Sequence, residues 1–264
     1  MSMATQALPG TVYLVGAGPG APDLLTLRAA RLLALADIVF HDALVHRETL
    51  ALATRAESVA VGKRCGRHAT VQRFINKRLI DAAHRHSVVV RLKGGDPLLF
   101  GRAQEEITAL EAAGIAYEVV PGITAALAAA AAIGTSLSQR GTVRSVALAT
   151  PRVGSGEDAS DWAHGFAAAD AGAIYMGVGQ AAAIAATLIA NGKPPSLPVA
   201  VIENASRPDE RVFHTTLAQL PRLADLQFEG PTVLLIGPQF AQRASAIEMA
   251  ERCLPISAPR ERYG

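Results

Sequence analysis

The stretch VVVRLKGGDPLLFGRAQEE, from Val88 to Glu106, decides the architecture. Val88 to Val90 form a β-branched run without polar alternation, the mark of a strand buried on both faces of a parallel sheet. The strand ends at Gly94 and Gly95, which lack a Cβ and let bare backbone approach a ligand. Asp96 and Pro97 complete a turn, and a helix is expected from Leu98 onward. In such a helix a spacing of three puts Arg102 and Glu105 on one face, where both charges can meet a ligand.

Working outward, short β-branched runs (TVYLV, DIVF, SVAV, VVVRL, YEVV) alternate with helical stretches from Thr11 to Val120, which predicts a mainly parallel sheet with crossover helices. The first helix is expected over Leu24–Ala36, entered through Pro22 and Asp23. A second α/β cycle begins near Val143. It runs through VRSVALAT, AIYMG, the helix AAAIAATLIANG, the strand PVAVIE, a hairpin around RPDERVFHTT and the strand TVLLIG. The fold class is therefore α/β, with two α/β domains over residues 10–138 and 142–240 and a tail over 241–264. The short polar segment Gly134–Gly141 joins the domains, and Thr150–Trp162 reads as a flap.

Half of the 264 residues are hydrophobic and only 18% are charged, which excludes a disordered or nucleic-acid-coating chain. Up to Thr150 there are 16 Lys and Arg against 11 Asp and Glu, a net of +5; beyond it 9 face 12, a net of −3. An anionic ligand is therefore expected on the N-terminal part. Cys65 and Cys253 are far apart and no secretory signal precedes Val12, so a reducing cytoplasm is the expected compartment. The longest apolar run, Ile123–Ile133, is mostly Ala and too short to span a bilayer, so no membrane segment is expected.

The first strand runs into VGAGPGAPD. Gly16, Gly18 and Ala21 fit G-x-G-x-x-A, and Asp42 follows the next strand, as in a dinucleotide fingerprint. Pro19 and Pro22, however, remove backbone donors that pyrophosphate binding uses, and such glycines also serve tight backbone geometry alone. Gly62-Lys63 is followed by Arg64 and lacks the upstream Gly of a Walker loop. The seven histidines show no metal spacing, so no metal is expected, and His68 is the one of interest.

The ordered set VGAGPGAPDLLTL, HDALV, VGKRCGRH, RLKGGDPLLFGR, VVPGITAA, SQRG, YMG, PVAVIENAS and GPTVLLIG resembles the tetrapyrrole methylases, from about Thr11 to Gly237. The resemblance implies an S-adenosylmethionine-dependent homodimer of two α/β domains with its active site in the interdomain cleft. Among family members it is most similar to those that methylate C-2 and C-7 of uroporphyrinogen III, giving precorrin-2 and S-adenosylhomocysteine. It places Pro19, Gly94, Gly95, Asp96, Leu99, Thr124, Ala125, Met176, Ala200, Ala205 and Thr232 at the cofactor. Asp42 becomes the proton acceptor and Lys63 the proton donor, with Arg102 and Glu105 as competing candidates. Arg102, Arg140, Lys63, Arg64 and Arg67 are the cations expected to hold a substrate bearing eight carboxylates. Such a small-molecule tetrapyrrole requires no nucleic acid, membrane or metal.

The chain departs from the family where FGRAQEE stands for FGRGGEE, SLSQRG for PLTHRG and ENAS for ENGT. Gln139 replaces a histidine and cannot shuttle a proton at neutral pH. Ala205 replaces a glycine and requires negative φ there. The alternatives are a methylase of a later corrin precursor, an NAD(P)-dependent oxidoreductase, and a catalytically silent tetrapyrrole or nucleotide sensor.

Overall fold

The computed structural model describes residues 9–61, 68–154, 158 and 160–241. The first half builds β1 (Thr11–Gly16), α1 (Leu27–Leu35), β2 (Ile38–His41), α2 (Arg47–Ala51), β3 (Glu57–Ala60), α3 (His68–Ala83), β4 (Val88–Lys93), α4 (Ala103–Ala112) and β5 (Tyr117–Val120). Its five strands are all parallel, in the order β3-β2-β4-β1-β5. The expected parallel sheet is therefore present, with the Val88 strand at its centre.

Alternation along the strands feeds two cores. Val12 and Leu14 of β1 pack with Leu79 of α3 and Leu110 of α4, while Val15 packs with Leu33 of α1 on the opposite face. Both faces are covered, as a parallel sheet requires. The first helix differs from its expected span: Pro22–Leu24 is a separate 3-10 turn, and α1 begins after Thr26, whose side chain accepts from Ala29 N at 3.1 Å. The helix expected from Leu98 starts at Ala103 instead. Phe100 and Arg102 hold positive φ of 53° and 57°, so the chain cannot wind until it has passed them.

The second half contains α5 (Ala125–Ala132), β6 (Val146–Ala149), α6 (Trp162–Ala168), β7 (Ala171–Tyr175), α7 (Ala181–Ala190), β8 (Pro198–Glu203), β9 (Arg211–Thr216) and β10 (Thr232–Ile236). This sheet runs β6-β7-β10-β8-β9, with β10 antiparallel to both neighbours and β8 and β9 forming the expected hairpin. Phe166, Ile184 and Leu188 cover one face with Leu217 and Leu220. Helix α5 covers the other, setting Ala126, Ala129 and Ala130 on Ala173, Ala200 and Leu235. Alanine faces permit this close approach. By packing, α5 belongs to the second sheet although it precedes Gly134–Gly141 in sequence. Among the described residues no helix is long and apolar enough to cross a membrane.

Candidate active site

The loops leaving β1, β4 and β5 converge at one edge of the first sheet, and their glycines are spent on backbone contact. A Cβ on Gly16 would lie 2.6 Å from Gly122 Cα, and one on Gly122 would lie 2.3 Å from Gly95 O. Gly18 and Gly95, both with positive φ, exchange two backbone hydrogen bonds of 3.2 and 2.7 Å. Both Asp96 oxygens are engaged, accepting from Leu98 N at 2.8 Å and from Gly122 N at 2.9 Å. The Gly94–Asp96 corner thus offers half-exposed backbone and no unpaired carboxylate, with Pro19 and Leu99 half-buried beside it.

Beneath this corner lies a buried charge network. On β4, Arg91 and Lys93 point to the face shared with α3 and α4, and each has 3% of its side chain exposed. Glu106, with none exposed, accepts from Arg91 Nε at 3.0 Å and from Lys93 Nζ at 2.9 Å. Gln72 Nε2 donates to the same carboxylate at 3.3 Å. The other end of Arg91 reaches Asp42, its Nη2 lying 2.5 Å from Oδ1. Burial draws the Arg91 guanidinium down, but the Asp42 and Glu106 carboxylates outweigh it and leave Arg91 above its ordinary value. Burial, reinforced by Arg91, holds the Lys93 ammonium below the usual lysine range despite Glu106. Asp42 is 29% exposed, so one side of its carboxylate is held and the other is reachable.

Arg102 precedes α4 in a left-handed conformation instead of sharing a helical face with Glu105, and the two still pair with each other, Nε to Oε1 at 2.6 Å and Nη2 to Oε2 at 2.8 Å. Phe100, two residues earlier, meets the Tyr175 ring with centroids 5.1 Å apart. Tyr175 closes β7 and its hydroxyl contacts Thr124 Oγ1 at 2.7 Å and accepts from Ala126 N at 3.3 Å. Burial raises the Tyr175 phenol above its ordinary value, so it stays protonated at neutral pH. Phe100 from the first half and Thr124 at the start of α5 therefore meet at Tyr175. Met176 follows Tyr175 with φ of 54° and is 43% exposed.

Ala205 and Thr232 lie at the same end of the second sheet, where Glu203 pairs with Thr232, and both are largely buried. Positive φ falls on Asn204 and Ser206, not on Ala205, so alanine is accommodated there. Ala200 corrects the expectation. It sits in mid-strand, fully buried under α5, and packs the core instead of facing a ligand. Arg140 is exposed in the turn closed by the Gln139–Val143 bridge. Lys63, Arg64, Arg67 and the side chain of His68 lie outside the described residues.

Sequence reasoning missed Arg91, Lys93, Glu106 and Tyr175 as members of this constellation. A signal for the first two was present: charges two apart in an otherwise apolar central strand require a buried counter-ion. The dinucleotide reading loses its basis here, because Gly16 and Gly18 serve backbone contact and the Asp42 carboxylate is bound to Arg91.

A two-sheet α/β architecture with loop ends meeting at a polar corner defines a class, and comparison gives the family. The tetrapyrrole (corrin/porphyrin) methylase profile matches residues 11–221, so the chain belongs to that family. It is 46% identical over 230 residues to a siroheme synthase of Pseudomonas fluorescens (strain Pf0-1), covering 86% of this chain and 50% of the relative. The chain spans about half the length of the curated relatives it matches. Among solved structures, the native uroporphyrin III C-methyltransferase of Thermus thermophilus aligns with a TM-score of 0.79 at 38% identity, over 91% of this chain and 100% of that one. The Thermus thermophilus enzyme complexed with S-adenosylhomocysteine aligns with a TM-score of 0.75 at 40% identity, over 86% and 97%.

Proposed function

We propose that the chain is a uroporphyrinogen-III C-methyltransferase, moving methyl groups from S-adenosylmethionine to C-2 and C-7 to give precorrin-2. The observation that carries this reading is the alignment over the full length of the Thermus thermophilus enzyme. Contacts between motif residues support it, Gly18 bonding Gly95 and Tyr175 touching Thr124 and Phe100. Two α/β domains, read from the sequence as 10–138 and 142–240 but with α5 packing on the second, the interdomain cleft, the 241–264 tail, the homodimer and the cytoplasmic location belong to the same reading.

The residues fit the methyl donor. Bound S-adenosylmethionine supplies an electrophilic methyl on a sulfonium. Gly94 and Gly95 present backbone, Met176 presents a partly exposed apolar side chain whose sulfur accepts from Arg152 Nη1 at 3.9 Å, and Asp96 has both oxygens occupied by N–H donors. A pocket without a free carboxylate does not over-stabilise the cation that transfer removes. Pro19, Leu99, Thr124, Ala125, Ala205 and Thr232 complete the cofactor set, from which Ala200 is withdrawn.

The nucleophile is an electron-rich pyrrole carbon, so the protein supplies alignment and proton management. Asp42, reachable on one side and held by Arg91 on the other, is suited to accept the proton that leaves the macrocycle after the C–C bond forms. Lys63 is assigned as the donor, with Arg64, Arg67, Arg102 and Arg140 gripping carboxylates. Arg102 is a clamp and not a base, because a guanidinium stays protonated.

The test is anaerobic incubation of folded protein with methyl-labelled S-adenosylmethionine and enzymatically made uroporphyrinogen III, read by product mass. Two added methyl groups are expected. Transfer to precorrin-2 only would identify a later corrin methylase, and binding of NAD(P) without S-adenosylhomocysteine would remove the reading altogether.

A further inference from the structure

Gly20 is the third glycine of VGAGPGAPD and takes no part in the backbone contacts that use Gly16 and Gly18. Its missing side chain makes room for Arg207: a Cβ there would lie 2.6 Å from Arg207 Cγ and 2.7 Å from Nε. Arg207 comes from the turn between β8 and β9, so it reaches from the second sheet across the first loop of the first sheet. Beyond Gly20 its Nη2 donates to Leu44 O at 2.7 Å.

Leu44 stands two residues after Asp42, and its Cβ is the atom a Cβ on Gly94 would meet, at 3.0 Å. One arginine thereby connects the β8–β9 turn with the loop carrying Asp42 and, through Leu44, with the floor of the cofactor corner. Beside it Ser206 Oγ accepts from Ala21 N at 3.1 Å, a second tie between the same loops.

The turn that presents Arg207 is braced. Asn204 and Ser206 hold φ of 52° and 69°, strained for non-glycine residues. Asn204 Nδ2 donates to Asp209 Oδ2 at 2.8 Å, and Ser206 N donates to Glu210 Oε2 at 2.7 Å. Both acids of the turn are thus used inside it. Within the turn Arg207 Nη1 donates to Asn204 Oδ1 at 3.5 Å, and its Nη2 is the end that meets a carbonyl across the loops, a directional contact that fixes a distance more sharply than an exposed ion pair would.

We infer that Arg207 is a positioning residue for methyl transfer: it sets the Asp42 loop against the second sheet without itself touching the reacting atoms. This rests on the functional reading above. Wild-type transfer is therefore measured first, and its absence would overturn that reading and this assignment together.

With wild type active, Arg207→Ala removes the tie, and Gly20→Ala displaces Arg207 while keeping it, at the added cost of an alanine at φ of 155°. Each is expected to lower kcat by about 10- to 100-fold, the scale for a misplaced catalytic group. The KM for uroporphyrinogen III and the dissociation constant of S-adenosylhomocysteine should stay within about threefold of wild type, since a loss confined to kcat marks a transition-state effect. Arg207→Lys, which can still donate to Leu44 O, should regain most of kcat. Unchanged kcat in both alanine variants would overturn the assignment. So would a kcat loss matched by weaker S-adenosylhomocysteine binding and a lower Tm, since Arg207 would then support folding alone.

Discussion

The guanidinium of Arg91 lies 2.5 Å from the Asp42 carboxylate, so a residue buried in the central strand holds a residue at the mouth of the proposed site. The contact leaves Asp42 one reachable side. Asp42→Asn should lower kcat by about 100-fold or more, the scale for losing a general base, with S-adenosylhomocysteine affinity retained. Arg91→Lys should also lower kcat, because a point-like ammonium cannot bridge Asp42 and Glu106 as the planar fork does. Single-turnover rates paired with calorimetry check both, and full activity of Asp42→Asn would remove it as the base.

Glu106 is the sole carboxylate of the described residues shown bonding both Arg91 and Lys93, and it has no exposed surface. Glu106→Ala leaves two buried cations short of a partner and should destabilise the fold by about 3–5 kcal/mol. Urea denaturation measures this. A loss below about 1 kcal/mol, the range of exposed pairs, would mean that water enters and solvates the network.

Arg102 and Glu105 form an exposed pair, 42% and 49% accessible, so their contact adds little to stability. Glu105→Ala should cost no more than about 1 kcal/mol of unfolding free energy. Arg102→Ala should weaken uroporphyrinogen III binding by about 2–5 kcal/mol, the range for a truncated charge contact at an interface, while sparing S-adenosylhomocysteine. Equal substrate affinity in Arg102→Ala would show that other cations grip the carboxylates.

Glu203 accepts from Glu229 N at 2.6 Å, from Gly230 N at 2.7 Å and from Arg211 Nε at 2.6 Å. Burial pushes its carboxyl up, but these donors outweigh it and hold the group below its ordinary 4.5. A depressed folded value gives stability that is present above the unfolded value and lost as pH falls through the folded one. Wild type should therefore lose stability on acidification below about pH 4.5, the ordinary carboxyl value, more steeply than Glu203→Gln. Tm measured against pH checks this, and parallel profiles would show that Glu203 binds its proton equally in both states.

The amino-acid sequence by itself determined the alternation of strands and helices, the burial of the Val88 strand at the centre of a parallel sheet, and the family. These follow from local periodicity and from motifs kept in order, and such signals survive without knowledge of long-range contacts. It also carried the tight turn at Gly94–Asp96, since glycines beside Asp and Pro restrict the backbone locally.

Only the tertiary structure decided what the individual residues touch. Helix α5 joined the second sheet because its alanine face fits Ala173 and Ala200, and that same packing took Ala200 out of the site. The delayed start of α4 followed from positive φ at Phe100 and Arg102, which no periodicity reveals. Glu106 found Arg91 and Lys93 across 15 and 13 residues, and Arg207 found Leu44 across 163. Such partners are set by the three-dimensional approach of elements, because a buried charge or an unfilled donor is satisfied by whichever group the fold brings within reach, however far away it lies along the chain.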